Sequence, residues 1–499
     1  MFKKGFFRLL VVAAVILTVT GLSGEVFAQR FKGVTIRVFT QTPPYIAKPV
    51  MIHKADWEKE TGGKVELITA PFAELYTKMY SSFALKAKAY DIVIYCSGWL
   101  GDFASNNFLL SLDDFIKKDT RIDWTDVLTV YRERVAAWGP TVFGIPLDGD
   151  SHMCYYRKDA IENTEYQKRF AEKYGYSLTP PRTWEQYRDI AEFFHGWDWD
   201  GDGRIEYGAV EFMRKGGQSS WLFFSRAAAY VSIPGQHGLF FNPDTMDALV
   251  DSPGHVKALK DWIEILKFGY PGMIGFDSGE VRTIYHLGET CLGIDWGDIG
   301  VLSDTGPESK VRGKVGYTIL PGATSVWDYR KAKWIGFPIE NAAPYLAFGG
   351  WVGSVDVNSP NKEAAYDFLS YLSSPDISYI DVTTPETGFN PYRKSHFAKL
   401  DRWYKFGFVN PAAYLGAIES TIAHPNVQVD LRIPGTAEYM EALETEITKA
   451  LAGEKTAEKP AVSLFSTASD MPKPTLWAKR SKKSVEATDK ARLTTTRAV

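Results

Sequence analysis

The sequence predicts an α/β protein in which two lobes enclose a ligand cleft. From Val34 onward, short β-branched segments alternate with helical ones, a pattern typical of a mostly parallel sheet covered by helices. Two apolar strand segments end at polar residues, Gly and Trp: YDIVIYCSGW at residues 90–99 and LGIDWGDIG at residues 292–300. In open α/β sheets, ligands bind beyond the carboxyl ends of the strands. Two such ends, about 200 residues apart in the chain, therefore indicate one cleft with aromatic walls.

The start of the chain has the pattern of an export signal. A basic stretch at residues 3–8 precedes an apolar segment, residues 9–19, which is too short to span a bilayer comfortably, and residues 26–28 form a small-x-small cleavage site. We therefore expect a signal peptide at residues 1–28, a mature chain that starts near Gln29, and a periplasmic location. The alternative is an uncleaved membrane anchor, but a spanning helix needs about 18 apolar residues without charges.

Composition places the mature chain among ordinary globular proteins of two or three domains. Hydrophobic residues make up 45% and charged residues 23% of the sequence, and the formal net charge of -3 gives no indication of nucleic-acid binding. Cys96, Cys154 and Cys291 each lie within an apolar segment. Buried thiols are therefore expected rather than a disulfide framework.

Later segments predict helices through their caps and apolar stripes. Thr183 and Gln186 form a capping-box pattern for a helix that runs through Phe194. Another helix is expected to start after Pro360, which suits the first helical position, with Ser359 as its cap. Three apolar stripes predict core-facing helix sides: Val256, Leu259, Ile263 and Leu266; Ala365, Phe368, Leu369 and Leu372; and Met440, Leu443, Ile447 and Leu451.

Residues 198–206, DWDGDGRIE, have the ligand spacing of an EF-hand-type calcium loop. Acids occupy loop positions 1, 3 and 5, Gly203 occupies position 6, where the chain turns sharply, position 7 offers a carbonyl, and position 9 is acidic. Position 12 is Ala209 instead of the usual bidentate Glu, so Glu211 or a remote carboxylate would have to complete the site. A solvated acidic turn is the alternative. The expected ligands of a structural Ca²⁺ are Asp198, Asp200, Asp202, Arg204 through its carbonyl, and Glu206.

Several segments follow one another in an order that resembles one protein family. They are YDIVIYCSGWLGDF (residues 90–103), GIPLDGDSHMCYYRKD (144–159), PPRTWEQYRDIAEFF (180–194), FNPDTMDALVDSPGHVKALKDW (241–262), GETCLGIDWGDIG (288–300), NSPNKEAAYDFLSYLSSP (358–375) and TGFNPYRKSHF (387–397). In this combination, from about Val34 to about Gly453, the chain resembles the sugar-binding receptors of bacterial ABC importers, which include maltose-type solute-binding proteins.

The resemblance implies two α/β lobes that are joined by crossing segments and close over a ligand by a hinge motion. It places residues 29–147 and 298–372 in the first lobe and residues 148–297 and 373–453 in the second. Residues 454–499 have few large apolar side chains and many Ser, Thr and Lys, so we expect a disordered tail. The implied partners are a sugar or polyol and an ABC permease in the inner membrane, with the receptor itself a monomer.

Candidate ligand contacts follow the predicted strands. Sugars present C–H faces that aromatic rings cover and hydroxyls that carboxylates, amides and Arg can hydrogen-bond, in pockets that are mostly apolar with a few placed polar groups. The candidates are Gln41, Thr42, Ser97, Trp99, Asp148, Asp150, Arg214, Trp221, Trp296, Asp298, Gly350, Trp351, Phe389, Tyr392 and Arg393. Structural alternatives exist: Trp296 could be a core residue, Asp148 could cap a turn, and Arg393 could form an ion pair between the lobes.

We expect a non-enzymatic receptor that captures a carbohydrate or polyol in the periplasm by lobe closure and delivers it to the permease. A secreted glycoside hydrolase is one alternative, since a cleft with Asp, Glu and Trp also suits that chemistry. A receptor for another solute, such as a peptide or a phosphorylated polyol, is the second. The sequence contains no GxSxG, Walker phosphate-loop or HExxH motif. A phosphate ligand would need clustered cations or free helix N-termini, for which Arg214 and Arg393 alone are a weak indication.

Overall fold

The computed structural model describes residues 30–457. The expected signal peptide and residues 458–499 of the expected disordered tail lie outside the described residues. The strands are β1 (Thr35–Gln41), β2 (Lys64–Ala70), β3 (Ile92–Cys96), β4 (Ala137–Trp138), β5 (Thr141–Val142), β6 (Ile145–Pro146), β7 (Met153–Arg157), β8 (Tyr207–Val210), β9 (Thr290–Asp295), β10 (Val315–Thr318), β11 (Ala323–Asp328), β12 (Lys333–Asn341), β13 (Tyr345–Leu346), β14 (Trp351–Val355) and β15 (Gln428–Val429). The α-helices are α1 (Ala47–Thr61), α2 (Phe72–Ala84), α3 (Leu100–Ser105), α4 (Asp113–Ile116), α5 (Lys158–Ile161), α6 (Thr164–Tyr174), α7 (Trp184–Phe193), α8 (Ser219–Val231), α9 (Pro253–Ile265), α10 (Ser278–His286), α11 (Asp298–Thr305), α12 (Lys362–Leu372), α13 (Pro375–Thr383), α14 (Lys394–Ala398), α15 (Leu400–Lys405), α16 (Pro411–Ile422) and α17 (Thr436–Leu451).

Five strands form the first sheet, in the order β2-β1-β3-β14-β6. β1 pairs in parallel with β2 and with β3, in the latter case with Val38 opposite Ile92. β14 runs antiparallel to β3, with Trp351 opposite Cys96. The carboxyl ends of β1 and β3 and the start of β14 therefore lie along one edge of this sheet, which forms the floor of the first lobe.

The second sheet has the order β10-β7-β9-β8. β8 and β9 are parallel, whereas β7 is antiparallel to both β9 and β10. Met153 at the start of β7 lies opposite Asp295 at the end of β9, so the segment that crosses from the first sheet meets the carboxyl end of β9. The parallel pairing predicted from the segments that follow Val34 is present among β1, β2 and β3, whereas this second sheet is mixed. β7 starts at the edge of the sheet where β9 ends, so the two strands run in opposite directions.

The two sheets also correct one predicted lobe boundary. Val315–Thr318 of β10 pairs with β7, Val315 lying opposite Arg157. The chain is therefore still part of the second sheet well after residue 298, where the resemblance implies a return to the first lobe. β10 first pairs with the edge of β7 that β9 leaves free. The chain then crosses back and rejoins the first sheet at β14.

One predicted helix start and one predicted stripe are shifted. α12 begins at Lys362, because the Ser359 Oγ accepts a hydrogen bond of 3.0 Å from the Asn361 N–H and forms a turn before the helix. In α9, only Leu259 of the predicted stripe is buried. The buried side of α9 consists of Gly254, His255, Ala258, Leu259, Trp262 and Ile265. The stripes predicted for α12 and α17 are buried, as expected.

The predicted cap of α7 is half present. The Gln186 N–H donates to the Thr183 hydroxyl at 3.2 Å, as a cap requires. The Gln186 side chain accepts from the Arg182 N–H instead of returning to Thr183. The capping box is therefore open, although the helix starts where the sequence predicts.

One hydrophobic core cluster extends through the described residues. Cys96, Cys154 and Cys291 are buried free thiols within it, as predicted. Within residues 30–457, no helix has the length and apolar character that crossing a membrane requires.

Candidate functional site

The aromatic residue at the end of β9 is held rigidly. Trp296 is 1% exposed, and its ring lies between those of Phe212 and Phe348, with centroids 5.3 and 4.8 Å away and interplanar angles of 6° and 15°. Its indole Nε1 donates a hydrogen bond of 3.0 Å to the Ala347 carbonyl. Because Ala347 and Phe348 lie in the segment that returns to the first sheet, Trp296 joins the two lobes at the cleft.

A second group of rings surrounds Phe72, the first residue of α2. Its ring lies 5.6 Å from those of Trp99 and Phe348 and 6.1 Å from those of Trp221 and Trp351. These rings come from both sides of the cleft: Phe72 begins α2, Trp351 begins β14 and Trp221 lies on α8. Through Phe348 they continue into the stack around Trp296, so the cleft has one continuous aromatic surface.

Buried carboxyl groups and one guanidinium lie beside this surface. We call the carboxyl groups the acidic cluster: Asp148, Asp150, Asp295 and Asp298. The Arg282 Nε donates to Asp295 at 2.7 Å, and its Nη2 lies 3.1 Å from the Asp298 carboxylate. The Arg282 guanidinium also lies 4.7 Å from the centroid of the Tyr45 ring. Since Tyr45 follows β1 and Arg282 lies on α10, this contact crosses the cleft.

Burial governs the ionisation of the acidic cluster. It raises the pKa of Asp295 to about 7, although the charge of Arg282 opposes the rise. Burial, followed by the charge of Asp148, raises the pKa of Asp150 well above its ordinary value. Burial also raises the pKa of Asp148. Neighbouring carboxyl groups in such surroundings both ionise only beside a cation, and otherwise retain a proton.

Asn390 connects the acidic cluster to the last loop of the cleft. Its backbone N–H donates to the Asp148 Oδ1 at 2.5 Å, and its Nδ2 lies 3.3 Å from Asp150 and 3.5 Å from Asp298. The Asn390 Oδ1 and the Asp148 Oδ2 are buried and have no hydrogen-bond partner in the described part of the chain. Neither Asp148 nor Asn390 lines the cavities described below, so these residues hold the last loop against the crossing segment.

Two cavities lie between the lobes beside these groups. The central cavity, about 30 Å³, is lined by Gln41, Tyr45, Ile46, Asp150, Gln218, Ser278, Arg282, Trp296, Asp298, Phe348, Trp351 and Gly388. The outer cavity, about 420 Å³, is lined by Phe72, Ala73, Tyr76, Thr77, Gly98, Trp99, Lys215, Gly216, Gln218, Ser220, Trp221, Asp430, Leu431, Thr436, Ala437, Met440, Glu441 and Glu444. Gln218 lines both. The central cavity thus combines aromatic rings with carboxyl, amide and guanidinium groups from both lobes.

The match to a known family extends over most of this architecture. Residues 40–378 match the family described as bacterial extracellular solute-binding proteins. The chain belongs to this family. Membership agrees with the resemblance found in the sequence and with a cleft lined from both lobes.

Solved structures of solute-binding proteins share the fold. One is an ABC-transporter solute-binding protein from Agrobacterium radiobacter K84 in complex with ribitol (TM-score 0.71, 21% identity, 89% of this chain and 100% of that chain). Another is maltose-bound MalE3 of T. maritima (TM-score 0.66, 20% identity, 88% and 100%). A third, from Agrobacterium vitis S4 with bound D-mannitol, has a TM-score of 0.65 at 19% identity and coverages of 91% and 99%. These likenesses confirm the predicted two-lobed α/β fold.

In this solute-binding protein, part of the predicted contact set lines the cavities. The central cavity contains Gln41, Asp150, Trp296, Asp298 and Trp351. The outer cavity contains Trp99 and Trp221. Asp148 belongs to the acidic cluster but lies behind the lining. The fold therefore brings together Trp99 after β3, Trp296 after β9 and Trp351 at the start of β14. Their places at strand ends predict this.

Three further predicted contacts have structural roles next to the cleft. Thr42 is exposed, and its N–H donates to the Ala70 carbonyl at 2.9 Å. The buried Ser97 hydroxyl donates to the Phe348 carbonyl at 2.6 Å. Gly350 has a φ of 99°, and a Cβ there would lie 2.1 Å from the Asp148 carbonyl oxygen, so only glycine fits where β14 meets the crossing segment.

The remaining predicted contacts lie outside the linings of both cavities. Arg214 is exposed and forms an ion pair with Asp277. Arg393 is completely buried, and its Nη1 lies 3.4 Å from Asp126, which ties the last loop to the first lobe. Two others are buried in the hydrophobic core: Phe389 and Tyr392.

Several residues of the site are absent from the sequence-based set: Tyr45, Gln218, Ser278, Arg282, Phe348 and Asn390. Only Arg282 carries a local signal, because it stands between Val281 and Tyr285 on the buried side of a short helix. A cation in that position needs buried partners. The others lie in loops or at helix ends, where no periodic pattern marks them.

The loop at residues 198–206 brings its carboxylates together. Gly201 and Gly203 have φ values of 81° and 87°, and their N–H groups donate to the two oxygens of Asp198 at 2.7 and 2.9 Å. Within the loop, the Arg204 Nη2 lies 2.6 Å from the Asp202 carboxylate and forms an ion pair with it. Four residues each offer one carboxylate oxygen, and these oxygens all lie within 4.8 Å of one another: Asp198, Asp200, Asp202 and Glu206. This donor set and turn geometry fit a hard cation such as Ca²⁺.

Glu211 does not complete this loop. It is fully buried, and its carboxylate accepts hydrogen bonds from Arg226 at 2.8 Å and from the Trp262 Nε1 at 2.7 Å. Its charge is therefore already compensated inside the second lobe. Of the two expected sources of a twelfth-position ligand, Glu211 and a remote carboxylate, only the remote carboxylate remains.

We propose that residues 198–206 hold a structural Ca²⁺, which should be tested by removing the ion. EDTA is expected to lower the melting temperature, because an ion bound only by the folded state at about a hundredfold excess over its Kd adds about 2–3 kcal/mol of stability. Added Ca²⁺ should restore the melting temperature, and Mg²⁺ should restore less. Asp198→Asn with Asp200→Asn should reproduce the EDTA effect, whereas the exposed control pair Asp114→Asn with Asp376→Asn should not. A melting curve insensitive to EDTA and Ca²⁺ would contradict the proposal.

Proposed function

We propose that this protein is the periplasmic receptor of an ABC importer and captures a small sugar or linear polyol between its lobes. The central cavity carries the proposal, since aromatic rings suit C–H faces while carboxyl, amide and guanidinium groups suit hydroxyls. At about 30 Å³ the central cavity has room for only about one or two water molecules, so a sugar or polyol would need the lobes to part or would extend into the adjoining outer cavity of about 420 Å³. The relatives solved with ribitol, D-mannitol and maltose support a sugar or polyol as the ligand class.

Capture would follow from contacts that exist only when the lobes are closed. Gln41 and Trp351 reach the central cavity from the first lobe, and Asp150 and Trp296 reach it from the second. A ligand that touches both sides stabilises the closed state by its differential affinity for that state. Arg282 would couple closure to the acidic cluster, because its guanidinium packs on Tyr45 across the cleft. The permease would then recognise the closed receptor.

We also propose that the protein binds its ligand without catalysis, as members of a solute-binding family do. Two buried carboxyl groups in a cleft could instead act as a hydrolytic pair. Incubation of the purified protein with oligosaccharides should therefore leave them intact. Cleavage that disappears in the Asp150→Asn variant, but persists in the Asp356→Asn control at the opposite end of β14, would contradict the proposal.

The ligand class is tested by mass spectrometry of any small molecule that copurifies, followed by a thermal-shift screen of sugars, polyols, peptides and phosphorylated polyols. A ligand at about a hundredfold excess over its Kd should add about 2–3 kcal/mol of stability. We expect monosaccharides or short polyols to give the largest shifts. Trp351→Ala should abolish the shift, and the exposed Trp334→Ala should preserve it. A shift given only by peptides or phosphorylated compounds would overturn the proposed ligand class.

A further inference from the structure

The two cavities between the lobes differ greatly in size. The central cavity, about 30 Å³, holds about one or two water molecules, which is room for one hydroxymethyl group and little more. The outer cavity, about 420 Å³, lies within the range of small-molecule sites, about 300–1,000 Å³. A sugar or polyol that reaches the central cavity must therefore keep most of its atoms in the outer one.

The two cavities meet at one ring and one amide. The Phe348 ring lines the central cavity and lies 4.5 Å from the ring of Trp221 and 5.6 Å from that of Phe72, which both line the outer cavity. Between residues 30 and 457, only Gln218 lines both cavities. We call this place the junction. A ligand that extends from one cavity into the other passes the Gln218 side chain there.

The backbone of Gln218 is held in an unfavourable conformation. Its φ is 75°, in the left-handed region that glycine tolerates and residues with a Cβ avoid. The side chain makes no cap hydrogen bond to α8, which starts at the next residue, so capping does not account for this conformation. Backbone strain of this kind clusters at ligand sites, where the fixed position of a side chain is part of the function.

The Gln218 side chain also carries an acceptor without a donor. Its Oε1 is buried and has no hydrogen-bond partner in the part of the chain that the structure describes. A buried acceptor that stays unpaired is costly. A hydroxyl has one hydrogen to donate, so a sugar or polyol hydroxyl at the junction would supply the missing donor.

We infer that the ligand binds end-on: a terminal hydroxymethyl group enters the central cavity, the other carbons lie in the outer cavity, and a hydroxyl at the junction donates to the Gln218 Oε1. The inference rests on the proposed function and refines its ligand class to sugars and polyols with a free hydroxymethyl end. The hydroxymethyl oxygen would contact Gln41 and Ser278 of the central lining. In the outer cavity, C–H faces would pack on Trp99 and Trp221.

Calorimetry with matched compounds tests the end-on orientation. The pairs are D-glucose against 6-deoxy-D-glucose, D-galactose against 6-deoxy-D-galactose, and D-mannitol against 1,6-dideoxy-D-mannitol, so each pair differs only in terminal hydroxyls. Where the parent compound binds, the deoxy compound should bind about tenfold or more weakly, because it leaves buried polar groups unpaired. Gln41→Ala should shrink this ratio, whereas Thr77→Val, in the outer lining, should preserve it. A ratio below about twofold, or one that Gln41→Ala leaves unchanged, overturns the end-on orientation.

Two variants of Gln218 test the contact at the junction. Gln218→Gly removes the amide and relieves the left-handed backbone, so the melting temperature should stay within about 2 °C of the wild type. Gln218→Met keeps the length of the side chain but has no amide oxygen. Both should bind the parent compounds about fivefold or more weakly. Lys88→Gly, the control, changes an exposed residue with a φ of 51° that lines neither cavity, and it should leave affinity unchanged.

The results separate this inference from the proposed function. Parent compounds that bind the wild type and both Gln218 variants equally well overturn the contact at the junction, and the proposed function then stands without it. If neither the parent compounds nor the wider screen of sugars and polyols gives any binding, the proposed function fails together with the inference.

Discussion

Replacing Arg282 with Ala is expected to lower the free energy of unfolding by about 3–5 kcal/mol. Arg282 is 5% exposed and is the partner of Asp295 and Asp298, so its removal leaves buried carboxylates without a cation. The contact with Tyr45 across the cleft is lost as well. Denaturation by urea at pH 7, followed by fluorescence and circular dichroism, measures the change.

Arg214→Ala is the matched control for this experiment. Arg214 also forms an ion pair with an Asp, but the pair is exposed, and surface pairs contribute only about 0–1 kcal/mol. We therefore expect a large difference in the free energy of unfolding between the two variants. Similar small losses of stability would show that Asp295 and Asp298 tolerate the absence of a cation, and the charge argument for the central cavity would then be wrong.

Replacing Trp296 with Ala is expected to affect both stability and ligand binding. Loss of a completely buried indole that stacks between two rings costs about 3–5 kcal/mol of stability. Ligand affinity should fall by at least about 2 kcal/mol, which is roughly thirtyfold. Chemical denaturation measures the first effect and calorimetry the second, with the best ligand of the screen.

Two further variants separate the contributions of Trp296. Trp296→Phe keeps a ring in the stack between Phe212 and Phe348 but removes the hydrogen bond to Ala347, so it should fold even if the Ala variant does not. Trp334→Ala removes an indole that is 40% exposed and should change neither quantity. Unchanged affinity in both Trp296 variants would mean that this residue serves only the core.

The first α/β units were predictable because their patterns are local. The alternation of β1, α1, β2, α2 and β3 follows from β-branched and amphipathic periods, and Gly62 ends α1 in the left-handed conformation, as its place after the helix suggests. β10 was not predictable in the same way. Its partner β7 lies about 160 residues earlier, and antiparallel pairing at that distance leaves no pattern in neighbouring residues.

The candidate site was predictable only where it follows strand ends. Trp296 and Trp351 could be placed in the cleft because they flank β9 and β14 at their cleft edges. Arg282 could not, since its role depends on α10 bringing it to Tyr45 and to the carboxyl groups after β9. Arg393 resembled a ligand contact because it is a cation in the last loop. In the structure its guanidinium instead contacts Asp126 and donates to the backbone carbonyls of Ile122 and Ser373.

Small-angle scattering of the purified protein, with and without its best ligand, tests capture by lobe closure. The claim is that a small hydroxylated ligand holds the two lobes together through groups that each lobe contributes to the central cavity. We expect a smaller radius of gyration at saturating ligand, and no such change in Trp296→Ala at the same ligand concentration. An unchanged radius of gyration for the wild-type protein, at a ligand concentration that calorimetry shows to be saturating, would contradict capture by lobe closure.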